Sequence, residues 1–328
     1  MDSKLSIGIL LVNTGTPEAP TKDAVVGYLR RFLMDRRIVN LPVLLWRPVL
    51  NGIVLRIRPA KTVGIYQRIW TPEGSPYTLH SEALERALAR SFAEKGDVRA
   101  LVRMTHRYGS PSMADGLREF QQQGIGRLVV LPLYPQQAFP TTHSVHDELM
   151  RLLPRLSYGP DVSFVWDYFD DPAWLHALAG SIRPHLPQDP SKAHLLLSFH
   201  SVPLKDVRRG DPYPRQVEEG ARAVADVLGL PEGSFSVAYQ SQFDDTQRWL
   251  GPFLHTRIEE LKAQGVENLR IVCPGFSVDC TETLYDIEKR LRGELEGDFP
   301  DGRFGYIPCL NESPAHVEAL RGIVEAQL

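Results

Sequence analysis

The chain of 328 residues is long enough for one or two domains with a substantial hydrophobic core. Hydrophobic residues make up 43%, charged residues 23% and the formal net charge is −3, an ordinary balance that excludes a strongly basic, nucleic-acid-binding chain. The three cysteines form neither an even disulfide set nor a metal-binding pair, which predicts a reducing, cytoplasmic location. The first apolar run lacks a small-residue cleavage site, and no stretch approaches the roughly 20 apolar residues of a membrane span.

Strands and helices alternate along the first half of the chain. An apolar run at 5–12 predicts a buried first strand, and Thr21 or Asp23 is placed to cap a helix that ends at Leu33. This alternation is typical of a parallel sheet, so we predict the α/β class. Further hydrophobic periods predict helices at 81–95, 113–123 and 142–153 and strands at 98–104, 127–133 and 162–166.

An insertion interrupts the first half between about residues 35 and 79. Its apolar segment at 41–58 carries Arg47, Arg56 and Arg58 and is broken by two prolines. Two interpretations stay open: a buried helix pair with ordinary surface cations, or an amphipathic lip that contacts an apolar ligand or a membrane surface. Long insertions between sheet elements are often lids or binding loops, which brings the second interpretation level with the first.

The second half of the chain repeats the plan of the first. Residues 10–17 align with 196–203, and this alignment places Thr14 where the second half has His200. The pattern indicates two similar halves that arose by duplication. The competing interpretation is that all βαβ units share such patterns.

We therefore predict two similar doubly wound domains with parallel sheets. The first, at 1–157, carries the insertion, and the second extends over 158–312. A strand at 304–307 and a terminal helix within 313–328 complete the chain. We expect the active-site cleft to lie between the two domains.

One strand end and one helix start carry the residues best suited to chemistry. The strand at 195–203 includes His200 at its end, and in open α/β sheets ligands bind outside the carboxyl ends of strands. Glu282 lies in the first turn of a later helix, and Asp286 follows one turn on, so both carboxylates share a face that could pass a hard cation inward. The alternatives are a structural histidine, a capping box in which Asp279 is the cap, and a solvated acidic face.

Short motifs along the chain resemble those of one enzyme family. They are, in order, residues 11–17 (LVNTGTP), 134–136 (YPQ), 141–142 (TT), 198–203 (SFHSVP), 210–214 (GDPYP), 240–242 (QSQ), 249–252 (WLGP) and 274–282 (PGFSVDCTE). In this order and spacing they resemble the ferrochelatases, over nearly the whole chain. The resemblance implies a chelatase-like fold in which the C-terminal helix packs back on the first domain. It also implies insertion of Fe(II) into protoporphyrin IX with loss of two protons.

The resemblance implies roles for the residues at the strand end and helix start. His200 would take pyrrole protons or contact the metal, and Glu282 would face it across the porphyrin; which of the two is the base stays open. Asp286 joins them in the predicted metal path. Arg290 stands where related enzymes often continue the acidic line, which leaves the length of that path open.

Four further residues are predicted to contact the porphyrin. Arg107 and Tyr108 end a strand, and arginine binds carboxylates such as a propionate in a bidentate fork. A structural ion pair of Arg107 is an equal alternative. Tyr134 belongs to the YPQ motif, and Thr14 corresponds to His200 in the internal alignment.

The prediction is a lyase of the ferrochelatase type, acting as a monomer on protoporphyrin IX and Fe²⁺ in the terminal step of haem biosynthesis. We expect no permanently bound cofactor and no nucleic acid partner, and no iron–sulfur cluster because no cysteine follows Cys309. The expected location is cytoplasmic, with peripheral contact at the inner face of the cell membrane through 41–58. Two alternatives remain: another tetrapyrrole chelatase, of cobalt or coproporphyrin type, and a non-catalytic porphyrin or haem carrier.

Overall fold

The computed structural model describes residues 6–96, 98–187, 189, 193–242, 248–300 and 302–328; the predicted strand start at Leu5 lies outside them. Strands are Ser6–Asn13 (β1), Arg99–His106 (β2), Arg127–Pro132 (β3), Asp161–Phe164 (β4), His194–His200 (β5), Phe235–Gln240 (β6), Leu269–Val272 (β7) and Phe304–Ile307 (β8). Helices of the first half are Lys22–Leu33 (α1), Val43–Val49 (α2), Leu55–Ile69 (α3), Pro76–Lys95 (α4), Met113–Gln122 (α5) and Thr142–Arg155 (α6). Those that follow are Pro172–Ile182 (α7), Leu204–Val207 (α8), Tyr213–Leu228 (α9), Leu254–Ala263 (α10), Thr281–Leu284 (α11), Arg292–Leu295 (α12) and Pro314–Glu325 (α13), and π-helical turns occupy Leu50–Val54 and Asp286–Leu291.

The strands form two parallel four-stranded sheets with the same topology, β2-β1-β3-β4 and β6-β5-β7-β8. The α/β class with two similar sheets is therefore confirmed. β1 and β5 each have a partner on both sides, and their apolar side chains are fully buried, as expected for strands covered on both faces. In each sheet the next strand of the chain pairs with one side of the central strand, and the strand after that pairs with its other side. The crevice at the carboxyl end of the central strand is therefore the expected ligand position.

The chain divides into two compact units. The first contains Met1–Leu133, Phe139–Trp166 and Leu320–Leu328, and the second contains Tyr134–Ala138 and Asp167–Ala319. In the first unit Arg127 Nη2 donates to the carbonyl oxygen of Gln327 at 2.9 Å, which fixes the end of the chain to the start of β3. The boundaries at 157 and 312 stay predictions.

The insertion is helical and exposes part of its apolar side chains. Leu44 is 89% exposed, Leu45 70% and Ile57 69%, whereas Leu50 and Leu55 are buried, so the segment is not a wholly buried helix pair. The indole N–H of Trp46 donates to the carbonyl oxygen of Leu33 at 2.7 Å and fixes α2 to the end of α1. Within the described ranges, no helix is long and apolar enough to cross a membrane.

Element boundaries differ from the sequence prediction mainly at one helix. α4 begins at Pro76 rather than near Ser81, because proline is favoured in the first helical turn, where its missing N–H has no helical acceptor. The additional first turn contains the buried Tyr77, whose hydroxyl accepts the N–H of Gly15 at 2.8 Å. Thr21 is the N-cap of α1 by position, but its side chain makes no capping hydrogen bond.

Candidate functional site

The second unit places His200 at the last position of its central strand, β5. Nδ1 of His200 lies 2.7 Å from the carbonyl oxygen of Ser201. A carbonyl only accepts hydrogen bonds, so Nδ1 carries the proton in the neutral ring and Nε2 keeps a lone pair. The ring is half-buried, which leaves this lone pair available to take a proton or to bind a cation.

Glu282 follows β7, the strand that pairs with β5 on the side opposite β6. The segment after β7 runs through Cys273 to α11, whose first turn carries Glu282. Burial first, and then the carboxylates of Asp279 and Glu282, raise the pKa of the Cys273 thiol. Cys273 in turn lies 3.8 Å from the amide nitrogen of Gln240, which stands opposite His200 in the β5–β6 ladder. The sheet thus brings the His200 and Glu282 segments to one edge.

The capping box with Asp279 as the cap of the Glu282 helix is wrong. Cys280 is the N-cap, and the partner of its backbone N–H is the hydroxyl of Thr283 at 3.0 Å. Glu282 instead accepts the hydroxyl of Thr281 at 2.8 Å through Oε2. Its carboxylate is therefore not used to cap its own helix.

Asp286 and Glu282 are separated by the end of α11, and Asp286 begins a π-helical turn. Asp286 Oδ1 forms an ion pair with Arg290 Nη2 at 3.0 Å. The arginine that breaks the acidic line therefore neutralises the carboxylate one turn before it. Both side chains are partly exposed, so water and ions weaken this pair.

The first unit brings Thr14, Arg107 and Tyr108 together at the carboxyl ends of β1 and β2. The backbone N–H of Arg107 donates to the carbonyl oxygen of Asn13 at 2.8 Å, and that of Tyr108 to Thr14 at 3.0 Å. Gly15, the next residue, has φ +99°, and a Cβ there would lie 2.7 Å from the nitrogen of Gly109. Only glycine fits this close approach of the two turns.

A buried carboxylate holds the side chains of Arg107 and Tyr108. Asp35 Oδ2 accepts hydrogen bonds from Arg107 Nη2 at 2.8 Å, from the Tyr108 hydroxyl at 2.7 Å and from the Ser144 hydroxyl at 2.5 Å. Arg107 Nε also donates to Ser144 Oγ at 2.9 Å. Burial, and then the Asp35 charge, raise the pKa of Tyr108, which stays a neutral phenol. The structural ion pair is therefore present through Nη2 of Arg107, while Nε is occupied by Ser144.

Tyr134 lies in the second unit, in the segment that follows β3. Tyr134 is half-buried, and the segment 134–138 is fixed through its neighbours: the backbone N–H of Gln137 donates to Gln216 at 2.6 Å. The carbonyl oxygen of Pro135 accepts the N–H of Tyr168 at 2.9 Å. The structure thus groups Tyr134, His200, Glu282 and Asp286 in one unit and Thr14, Arg107 and Tyr108 in the other.

All three cysteines are free and buried. Burial is the main cause that raises the pKa of each thiol, which keeps them protonated and poor metal ligands. Across the described residues no group of three or more histidine, cysteine or acidic side chains is arranged to hold a metal ion. That the chain carries no iron–sulfur cluster stays a prediction.

Two residues that organise these positions are missing from the sequence prediction. Asp35 enters it only as the start of the insertion, and Asn311 has no role in it. Asn311 has φ +48°, a left-handed conformation that asparagine tolerates better than most residues. The turn signal Asn-Glu-Ser-Pro before α13 could have marked it.

Known proteins are similar to this chain over nearly its whole length. The family model described as Ferrochelatase matches residues 6–328. A protein named Ferrochelatase from Azoarcus sp. (strain BH72) is 43% identical over 98% of this chain and 87% of its own length. One of the same name from Vibrio cholerae is 39% identical over 99% of both chains. Among solved structures, SirB from Bacillus subtilis with Fe3+ aligns with a TM-score of 0.54 at 14% identity, over 98% of this chain and 95% of that one, which supports the fold alone.

Proposed function

The chain belongs to the ferrochelatase family, and from this premise we propose that it is a lyase that inserts Fe(II) into protoporphyrin IX. The products are protohaem and two protons, in the terminal step of haem biosynthesis. The observation that carries the proposal is His200 at the carboxyl end of the central strand of a chelatase-like sheet, with its Nδ1 bonded to the carbonyl oxygen of Ser201. The family match favours this reaction over a cobalt or coproporphyrin chelatase and over a carrier.

The chemical problem is to remove two protons from the hole that the metal must enter. A planar free-base porphyrin presents two N–H groups there, and tilting one pyrrole exposes lone pairs at a cost met by contacts remote from the centre. In our proposal Nε2 of His200 takes the two pyrrole protons one after the other and passes each to water, and the imidazolium is stabilised by the bond from Nδ1 to Ser201. The Glu282 carboxylate stabilises the entering cation.

Asp286 is proposed to convey Fe²⁺ toward Glu282 rather than to act at the porphyrin. Its ion pair with Arg290 lowers the attraction that it offers to a cation. Incoming Fe²⁺ must therefore compete with the guanidinium for the carboxylate. This predicts a short metal path in which the iron concentration needed for half-maximal rate depends on Arg290.

Thr14, Arg107, Tyr108 and Tyr134 are proposed to bind the porphyrin. The bonds to Asp35 and Ser144 leave Nη1 of Arg107 as the donor through which a propionate would be bound. Holding the guanidinium in advance lowers the entropy lost on binding. Tyr108 is almost fully buried, and its hydroxyl also fixes Asp35 beside Arg107.

We propose that the exposed faces of α2 and α3 form a lip that rests on the membrane surface, so that a cytoplasmic monomer takes its substrate from there. The apolar side chains Leu44, Leu45 and Ile57 would enter the interface, while Arg47, Arg56 and Arg58 attract anionic lipids. Burying one leucine stabilises binding by about 1.5–3 kcal/mol.

Sedimentation with phosphatidylglycerol-containing vesicles tests the lip. Leu44→Ser should weaken binding at least about tenfold, since about 1.4 kcal/mol is a factor of ten. Charge reversal of all three lip arginines should weaken it further at low salt. The control variant reverses the charges of three exposed arginines of the same unit, Arg86, Arg99 and Arg118. Equal vesicle binding of the lip variants and the wild type would refute membrane contact through this segment.

One assay tests the reaction itself. Purified protein, protoporphyrin IX and Fe(II) are mixed without oxygen, and the free-base absorption bands are followed as they convert to those of haem. Conversion of many equivalents per protein supports the enzyme, whereas conversion that stops at one equivalent supports a carrier. Parallel reactions with coproporphyrin and with Co(II) identify the two chelatase alternatives.

A further inference from the structure

The turn that delivers Glu282 is held by a buried carboxylate that has only neutral partners among the described residues. Asp279 is 3% exposed. Its Oδ1 accepts the hydroxyls of Tyr306 at 2.5 Å and Thr283 at 2.9 Å, and its Oδ2 accepts the amide N–H of Asn311 at 2.8 Å. A buried carboxylate is tolerated only when such bonds satisfy it, so this arrangement is specific to the observed backbone position.

Asn311 makes three hydrogen bonds to the same turn. Its side-chain oxygen accepts the backbone N–H of Asp279 at 2.9 Å, and its Nδ2 donates to the Asp279 carboxylate. Its own backbone N–H donates to the carbonyl oxygen of Ser277 at 3.0 Å. Nδ1 of the buried His316 donates to the carbonyl oxygen of Asn311 at 2.6 Å, which fixes Asn311 from the other side.

These bonds extend to Glu282 through its neighbour. The Thr283 hydroxyl that donates to Asp279 also accepts the backbone N–H of Cys280. Glu282 lies between these two residues in a one-turn helix that is too short to be rigid on its own. The position of its carboxylate therefore depends on Asp279, and through Asp279 on Asn311.

We propose that Asn311 is a positioning residue for the metal-insertion reaction: by locking the turn at 277–280 it sets the place of the Glu282 carboxylate. The proposal rests on the proposed function of Glu282. A displacement of about 1 Å in a catalytic group can lower the rate roughly a hundredfold, so loss of the lock should appear in kcat. Affinity for the porphyrin, whose proposed contacts are Thr14, Arg107, Tyr108 and Tyr134, should change little.

Two single variants separate the contribution of the Asn311 backbone conformation from that of its side chain. Asn311→Gly keeps a residue that adopts positive φ without strain but removes the amide, so the chain should fold while kcat falls by about tenfold or more. Asn311→Asp keeps the shape but puts a carboxylate oxygen against Asp279, and should be at least as damaging. KM for protoporphyrin should stay within about twofold in both.

A double variant provides the decisive test. When Asp279→Asn is combined with Asn311→Asp, the amide introduced at position 279 donates to the carboxylate introduced at position 311. That carboxylate still accepts the backbone N–H of residue 279, and the side-chain oxygen kept at 279 still accepts from Tyr306 and Thr283. All the hydrogen bonds just named are retained, while the negative charge moves from position 279 to position 311. We therefore expect a higher kcat than in Asn311→Asp. No recovery would mean that the Asp279 charge, and not the geometry, matters, and would overturn the proposal.

Hydrogen–deuterium exchange of the peptide 276–284 gives a readout independent of activity. It should rise in Asn311→Gly and return to the wild-type value in the double variant. Unchanged exchange, or raised exchange with wild-type kcat, overturns the proposal. Glu282→Gln is measured alongside: if it keeps full kcat, the role of Glu282 under the proposed function fails, and the exchange data still decide whether Asn311 holds the turn.

Discussion

Replacing Asp35 by asparagine removes the charge that holds Arg107. Asp35 is 6% exposed as a side chain and Arg107 16%, so the pair is nearly buried. Breaking a buried ion pair by removing one partner costs about 3–5 kcal/mol, because the other charge is left uncompensated. Glu148, with an oxygen 3.9 Å from Arg107 Nη2, offsets part of this loss. We therefore expect a loss of roughly 2–3 kcal/mol, at or just below the lower end of that range.

Thermal and urea unfolding measure the effect. At about 2 °C per kcal/mol for a chain of this size, Asp35→Asn should lower Tm by roughly 4–6 °C. The control is Asp147→Asn, which breaks the more exposed Arg37–Asp147 ion pair and should cost less than about 1 kcal/mol. A Tm for Asp35→Asn within about 1 °C of the control would mean that the buried Asp35–Arg107 pair stabilises the fold no more than an exposed pair does.

The same variant separates the two roles of Arg107. If Arg107 binds a propionate, loosening it should also raise KM for protoporphyrin at temperatures where the variant is folded. If the ion pair is structural only, KM should match the wild type while Tm falls. Measuring both quantities on one preparation distinguishes these outcomes.

Three further predictions concern the second unit. Glu282→Gln should lower kcat at every iron concentration, whereas Asp286→Asn should mainly raise the iron concentration for half-maximal rate; equal kinetic defects would contradict this division of roles. Arg290→Glu should lower that iron concentration, since it removes the competing cation. Burial lowers the pKa of His316 from 6.5 to about 4, so its contribution is complete above pH 6.5 and is lost as the pH falls toward 4. Unfolding in urea at pH 7 and pH 5 should show lower stability at pH 5, and His316→Gln should reduce this loss by about 2 kcal/mol.

The framework could be predicted from the sequence because local patterns determine it. The run ending in His200 and the strand at 304–307 are short apolar segments whose burial follows from their own composition. The parallel alternation then places His200 at a carboxyl end, where ligands bind in such sheets. These conclusions need no knowledge of distant partners.

The features that could not be predicted from the sequence depend on contacts between residues far apart in the chain. Asp279 resembles a helix cap because a glutamate follows three residues later, but its partners Tyr306 and Asn311 lie 27 and 32 residues away. Asp35 pairs with Arg107 at a separation of 72 residues, and no local pattern marks it. The exposure of Leu44 is also hidden, since an apolar run has the same pattern in a core and on a surface.

The proposed reaction depends on Nε2 of His200, which accepts a proton during metal insertion. The direct measurement is the anaerobic rate of haem formation from protoporphyrin IX and Fe(II) for His200→Ala, beside His255→Ala as a control in an exposed histidine of the same unit. We expect His200→Ala to keep the wild-type circular dichroism and Tm and to lose turnover, while His255→Ala keeps all three. Turnover of His200→Ala near the wild-type rate would contradict this role of Nε2.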